Sequence, residues 1–228
     1  KESVGIDLGV KSLVVLSDGV QYENQGLLRS ELKKLKRLNC ELSRRQEGSG
    51  RWNRTKQKLA RFHRHIANRR ADYQHKITAK IASTYQIIGV EDLNVAGMLK
   101  NHRLALSIAD AGFGEIKRQL TYKSEWYGGT LIEIDRFFPS SKQCRFCGCI
   151  NGDLTLADRI WTCDCGMVID RDLNAALNIE RQALNILGRS GFTDQSKNGR
   201  GADVRLFGAV CDKASKMAEE RRPSELVI

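Results

Sequence analysis

No apolar run in the 228-residue sequence approaches the roughly 20 residues that a membrane-spanning helix needs. No secretory h-region is present either, because Lys1-Glu2-Ser3 leads straight into an apolar strand. Export and membrane insertion are therefore both disfavoured. An initiating Met is also missing while a strand already begins by Val4, so these residues are expected to be the downstream part of a longer polypeptide. No internal repeat is visible, which disfavours a solenoid or propeller. No second Gly-rich phosphate loop follows a later strand, which argues against an ATPase of the actin and sugar-kinase type. Acidic residues are scarce in one long segment: between Arg29 and Lys80 there are 17 basic and 4 acidic residues.

That scarcity locates the charge. The chain carries a formal +11, yet outside Arg29–Lys80 only 21 basic residues face 23 acidic ones. The whole basic excess thus lies in one segment, the electrostatic footprint of a polyanion partner. A composition of 41% hydrophobic and 29% charged residues fits a globular chain with a full-sized core and a smaller module.

Val4, Ile6 and Leu8 alternate with Gly5, Asp7 and Gly9, and the runs Leu13 to Leu16 and Val20 to Tyr22 follow across tight turns, predicting three strands. From Leu28 the period becomes helical, through Leu32, Leu35, Leu38 and Leu42, until Glu47-Gly48-Ser49-Gly50 interrupts. A second helix is predicted from about Asn53, with Leu59, Phe62, Ile66, Tyr73, Ile77 and Ile81 as its apolar stripe. The two form a helical hairpin, 28–86, with basic outer faces. Ile87 to Val90 reads as a buried strand that delivers Glu91, Leu106 to Tyr127 as one helix ended by Gly128-Gly129, and Leu131 to Ile134 as another strand. A cysteine module fills 140–167, after which Val168-Ile169 is expected to rejoin the core ahead of a closing helix marked by Leu173, Leu177, Leu184 and Leu187. The polar, Gly-rich tail 191–228 is expected to be weakly ordered. Without the cysteine insert, this order matches an α/β, ribonuclease-H-like mixed sheet flanked by helices.

A carboxylate inside an apolar strand costs several kcal/mol to desolvate unless it meets a cation or hydrogen-bond donors. Asp7 lies mid-strand, Glu91 ends the fourth strand, which this topology places beside the first, and Asp172 begins the last helix. Three acids from distant parts of the chain can therefore converge on Mg²⁺ or Mn²⁺, two ions about 4 Å apart being the usual arrangement for phosphodiester hydrolysis. Asp170 is the rival for the third position, and an Asp before a helix is often only an N-cap. Gly5 and Gly9 would allow close approach of a phosphate or metal-bound substrate.

Cys144 and Cys147, then Cys163 and Cys165, have the two-knuckle plan of a structural zinc ribbon, fitting a reducing compartment better than a disulfide scaffold. The second knuckle has one intervening residue rather than two, so Cys149 competes as a ligand. Cys40 and Cys211 are expected to be buried packing residues. On the basic hairpin, Lys56, Arg61 and Arg64 are expected phosphate contacts. Phe62 and Tyr73 fall on the apolar stripe, which leaves Trp52 as the base-stacking candidate.

Gly5-Ile6-Asp7-Leu8-Gly9-Val10, Val90-Glu91-Asp92-Leu93-Asn94, Asp135-Arg136-Phe137-Phe138-Pro139-Ser140-Ser141-Lys142 and Asp170-Arg171-Asp172-Leu173-Asn174-Ala175-Ala176 together resemble TnpB. Members of that family are transposon-encoded, RNA-guided DNA endonucleases related to type V CRISPR effectors. The resemblance implies a RuvC nuclease core in two parts, 1–139 and 168–190, with Asp7, Glu91 and Asp172 catalytic, and a zinc finger inserted between. It further implies guide RNA and target DNA as partners, cleavage of both strands through one RuvC site, a prokaryotic cytoplasmic setting, and an N-terminal guide-contacting part that these residues lack. The alternatives are a nuclease-inactive RNA-guided DNA-binding regulator of the same fold and a zinc-ribbon adaptor. The presence of all three acids weighs against both.

Overall fold

Val4, Ile6, Ile88 and Val90 are at most 1% exposed, and each alternates with a glycine or an acid: Gly5, Asp7, Gly89, Glu91. This period-two pattern belongs to strands whose two faces meet different neighbours. The computed structural model, which describes residues 2–155 and 157–190, places them in β1 (Ser3–Leu8) and β4 (Ile87–Glu91). With β2 (Ser12–Leu16), β3 (Gln21–Glu23) and β5 (Thr130–Ile134) they form a five-stranded sheet of order β3-β2-β1-β4-β5. β1 runs antiparallel to β2 and parallel to β4, which is parallel to β5, so the sheet is mixed. The expected tail, 191–228, and Cys211 within it lie outside the described residues.

The even-numbered face, Val4, Ile6, Ile88 and Val90, packs on Ile77 and Ile81 of α2 (Gly50–Thr84), Ile108 of α4 (Ala105–Ala111) and Phe113, Ile116 and Leu120 of α5 (Phe113–Trp126). The opposite face, that of Gly5, Asp7, Gly89 and Glu91, carries α6 (Arg171–Ser190), whose Ile179 and Ala183 pack with Ile132 and Ile134 of β5. α6 lies so close that a Cβ on Gly5 would stand 1.9 Å from the Ala176 carbonyl oxygen, and one on Gly89 2.8 Å from the Ala183 Cβ. The space at Gly5 is therefore filled by the closing helix and not by a phosphate. That at Gly9 is filled by the Ser12 carbonyl oxygen, 2.8 Å from where a Cβ would sit.

α1 (Leu27–Ser43) and α2 form the hairpin, with a core of its own from Leu27, Leu35, Leu38, Phe62 and Ile66. α2 is capped by Ser49, whose side chain accepts the Trp52 N–H at 3.2 Å. α1 has no such residue, since Gly26 precedes it in the left-handed region at φ 54°. Its cap comes from a distance. Buried Asp110 of α4 accepts the Leu28 N–H at 2.9 and 3.0 Å and the Arg29 N–H at 3.3 Å, tying the foot of the hairpin to the core and satisfying donors that helix starts leave open.

Three expectations are corrected, and one short helix has no counterpart among them. The helix expected over 106–127 is two, broken at Gly112 (φ 66°), where Gln74 Nε2 donates to the Ala111 carbonyl at 2.9 Å. Ile108 and Ile116 stay on one apolar side across the break, so periodicity alone could not locate it. A short α3 (Val95–Leu99), capped by Asn94, had no apolar stripe to announce it. Val168-Ile169 does not rejoin the central sheet: β7 (Val168–Asp170) pairs with β6 (Ile160–Thr162), and Ile169 packs with Cys144 and Trp161 in the cysteine module's own core. Cys40 is exposed, not buried.

Candidate active site and metal centre

Strand parity decides where the acids go. Gly5 pairs with Gly89 and Ile6 with Val90, so Asp7 and Glu91 come one step later on neighbouring parallel strands, both on the face that α6 covers. α6 starts at the same end of the sheet with Asp172 as its second residue. The electrostatics record the convergence. The Asp7 carboxyl is pushed up to about 8, first by burial and then by the charges of Glu91 and Asp172, with Arg171 and Arg159 pulling the other way. Burial also pushes Glu91 up, opposed by the hydrogen bond that the Ser140 hydroxyl donates to it. Asp172 accepts from Arg159 Nη1 at 2.9 Å and from Arg171 Nη2 at 3.3 Å.

The rival acid has a different task. Asp170 accepts the Leu173 N–H at 2.9 Å and so caps α6, while Asp172 is the acid whose charge reaches Asp7. Among the described residues the cysteine group is the one whose ligand atoms all lie within 4.8 Å of each other.

Sequence reasoning missed the frame around the acids. Asp92, next to Glu91, binds Arg136 and, at 3.0 Å, Lys117, which reaches Glu133 at 2.7 Å as well. Lys117 and then Arg136 hold the Asp92 carboxyl below its usual range. Asn174 and Asn178, each 2% exposed, donate their amides to the Gln143 carbonyl at 2.7 Å, and Asn178 also donates to the Ser140 carbonyl at 2.8 Å. The loop from Asp135 to Gln143 is thereby fixed to both β4 and α6. Two asparagines four residues apart, among the small and apolar residues Ala175, Ala176, Ile179 and Ala183 of one helix side, were the available signal.

Cys144 and Cys165 stand with sulfurs 3.8 Å apart, and Cys147 and Cys163 3.5 Å apart. Tetrahedral zinc with Zn–S bonds of about 2.3 Å requires sulfur separations of about 3.8 Å, so these four residues could hold such an ion. Cys149 lies outside the group, its carbonyl accepting the Cys144 N–H at 2.7 Å. Each knuckle ends in a left-handed glycine, Gly148 (φ 79°) or Gly166 (φ 84°), whose N–H bonds back to the first cysteine of its knuckle. This closes the second knuckle despite its shorter spacing. Burial pushes the Cys147 and Cys163 thiols up, so a metal binding here would have to displace their protons.

On the hairpin, Phe62 is buried as expected and Lys34 Nζ lies 4.0 Å from its ring centre. Trp52 is half-buried beneath Lys56, at 4.6 Å. Lys56, Arg61 and Arg64 are exposed. Among the described residues, Arg45, Arg69 and Lys76 are the hairpin cations that meet an acid within 4.0 Å.

The profile of a family described as "Probable transposase" matches residues 1–102, and that of the "Cas12f1-like, TNB domain" matches 113–179. A Streptomyces pristinaespiralis protein, provisionally named an RNA-guided DNA endonuclease, is 45% identical over 177 residues, covering 78% of this chain and 44% of its own. Together these matches support a member of the TnpB family. An Escherichia coli K12 relative, InsQ, named in the same provisional way, is 35% identical over 192 residues, covering 77% of this chain and 48% of its own. The chain thus spans a little under half the length of these curated relatives. A cryo-EM structure of a Cas12f1–sgRNA–target DNA complex matches the fold with a TM-score of 0.55 at 20% identity, over 78% of this chain and 49% of the other. Among the described residues no helix is long and apolar enough to cross a membrane.

Proposed function

We propose that this chain is the nuclease portion of an RNA-guided DNA endonuclease that hydrolyses phosphodiesters at Asp7, Glu91 and Asp172 with two Mg²⁺ or Mn²⁺ ions, cutting both strands of a guide-matched target through one site. The observation that carries the reading is the Asp7 carboxyl at about 8, raised by its own burial and by two other acids. Such a cleft is costly without cations. Its donors are all carboxylate oxygens, the set that hard divalent ions prefer. Asp7, Glu91 and Asp172 would hold the ions, which when bound supply an activated water and stabilise the leaving oxygen.

The remaining roles belong to the chain itself. Ser140 fixes the orientation of the Glu91 carboxylate. Arg159 and Arg171 offset the charge of Asp172 and steer its oxygens. The cysteine site takes a structural zinc, because four thiolates leave no open position for substrate. The basic hairpin holds nucleic-acid backbone, while guide and target sequence are read by base pairing, with the remainder of the longer polypeptide contributing contacts to the guide.

The test is cleavage of a guide-matched duplex by the full-length protein with its RNA. Asp7→Ala, Glu91→Ala and Asp172→Ala should each abolish Mg²⁺-dependent cutting while leaving nucleic-acid binding intact. Undiminished cutting by the Asp7 variant would sink the assignment, and wild-type protein that binds its target without cutting would favour the regulator reading.

A further inference from the structure

We infer that Phe137 is a stacking platform for a nucleobase of the DNA strand entering the three-acid cleft; the inference rests on the nuclease reading above and names a substrate contact for it. Phe137 is 86% exposed, more than any other large apolar side chain among the described residues. Burial of such a ring stabilises by about 1.5–3 kcal/mol, so folding gives no reason to present it to water. Nor is its loop loose. The Phe137 N–H donates to Asp135 Oδ1 at 2.7 Å and the Phe138 N–H to the Asp135 carbonyl at 3.0 Å. Phe138 packs against the core formed by Ile132, Ile134 and Ile179.

Its place is equally specific. Arg136, on one side, binds Asp92 immediately after Glu91. Ser140, three residues on, binds Glu91 itself. Phe137 therefore stands on the rim of the acid cleft, on backbone anchored to either side. A single strand offers unpaired bases with open π faces, and one base stacked on an aromatic side chain is worth about 1–3 kcal/mol by alanine substitution. Held in a fixed loop, the ring would set how far the strand advances and hence which phosphate meets the acids.

The experiment compares Phe137→Ala, Phe137→Leu and Phe137→Trp in the full-length protein with its guide RNA, on a guide-matched single-stranded DNA. Phe137→Ala and Phe137→Leu should raise KM about 5- to 150-fold with little change in kcat, and Phe137→Trp should restore it. Trp126→Ala serves as a control, since Trp126 is 75% exposed but ends α5 ahead of β5, at the opposite end of that strand from Ile134, which pairs with Glu91. A scan of single abasic sites should reveal one position where removing the base weakens wild type, and that sensitivity should vanish in Phe137→Ala. An unchanged KM, equal activity in Phe137→Leu, or an abasic profile shared by wild type and Phe137→Ala would overturn the inference. A lowered melting temperature with the profile retained would assign the ring to a protein contact instead. If wild type does not cut at all, the nuclease reading fails, and 2-aminopurine fluorescence in Ca²⁺ still decides the platform: quenching on binding that is lost in Phe137→Ala supports it, and no quenching refutes it.

Discussion

Raising the pH from 6.5 to 8.5 should strengthen binding of Mn²⁺ at the acid cleft more than tenfold, because Asp7 has to release a proton before it can ligate. With its carboxyl at about 8, roughly 3% is ionised at the lower pH and roughly three-quarters at the higher, a ratio of about 25. Calorimetric titration of zinc-loaded protein in two buffers of different ionisation enthalpy measures both the affinity and the protons released. About one proton should leave per protein near pH 7 as the site fills, and far fewer above pH 9. Asp172→Asn removes a neighbouring charge that raises Asp7, so its affinity should level off at a lower pH even though it binds more weakly. The same shift bears on stability. A carboxyl higher in the folded than in the unfolded chain stabilises the metal-free protein fully below about 4, and that contribution is lost as pH rises through about 8. Asp7→Asn should flatten that slope and leave the metal-free protein more stable at pH 8, by up to a few kcal/mol. A Mn²⁺ affinity independent of pH from 6.5 to 8.5, with no proton release, would refute the convergence of the three acids.

Gly5→Ala should destabilise the fold by about 3 kcal/mol in urea titrations, because the new methyl collides with α6 backbone that has no free end to swing away. Replacing Lys56, Arg61 and Arg64 with Ala should make the salt dependence of nucleic-acid binding shallower by up to about 0.9 in log–log slope per lost phosphate contact; an unchanged slope would place the contact elsewhere. Metal analysis of protein purified without chelator should find one zinc per chain. Cys163→Ser should lose it and weaken cutting, since Arg159 reaches Asp172 from the ribbon. A zinc-free protein with full activity would refute the ribbon's role.

The strands bearing Asp7 and Glu91, the α6 start and the basic hairpin were legible because each combines a local period with a residue out of keeping with it. A carboxylate on a buried strand is visible in seven residues of sequence. The framing contacts were not legible, because they join residues far apart with no period to link them: Asp110 with Leu28, Ser140 with Glu91, Asn178 with Gln143, Arg159 with Asp172. Gly5 was singled out correctly as a point of close approach, but the approaching group was misassigned, since a missing side chain says that something comes near and not what. Val168-Ile169 misled for a similar reason. A short apolar pair fits either of two cores, and only the antiparallel pairing with Ile160–Thr162 selects the smaller one.

The remote cap at Asp110 has a mechanical consequence. Beyond Arg70, α2 projects some 20 residues, roughly 30 Å at the rise of an α-helix, and its companion α1 is fastened at the foot through the amides of Leu28 and Arg29. A tilt of about 10° at that foot would carry the tip about 5 Å, enough to take a guanidinium out of hydrogen-bonding range of a phosphate. Pinning the short end of a lever with one sequestered carboxylate thus sets the aim of cations a whole helix away.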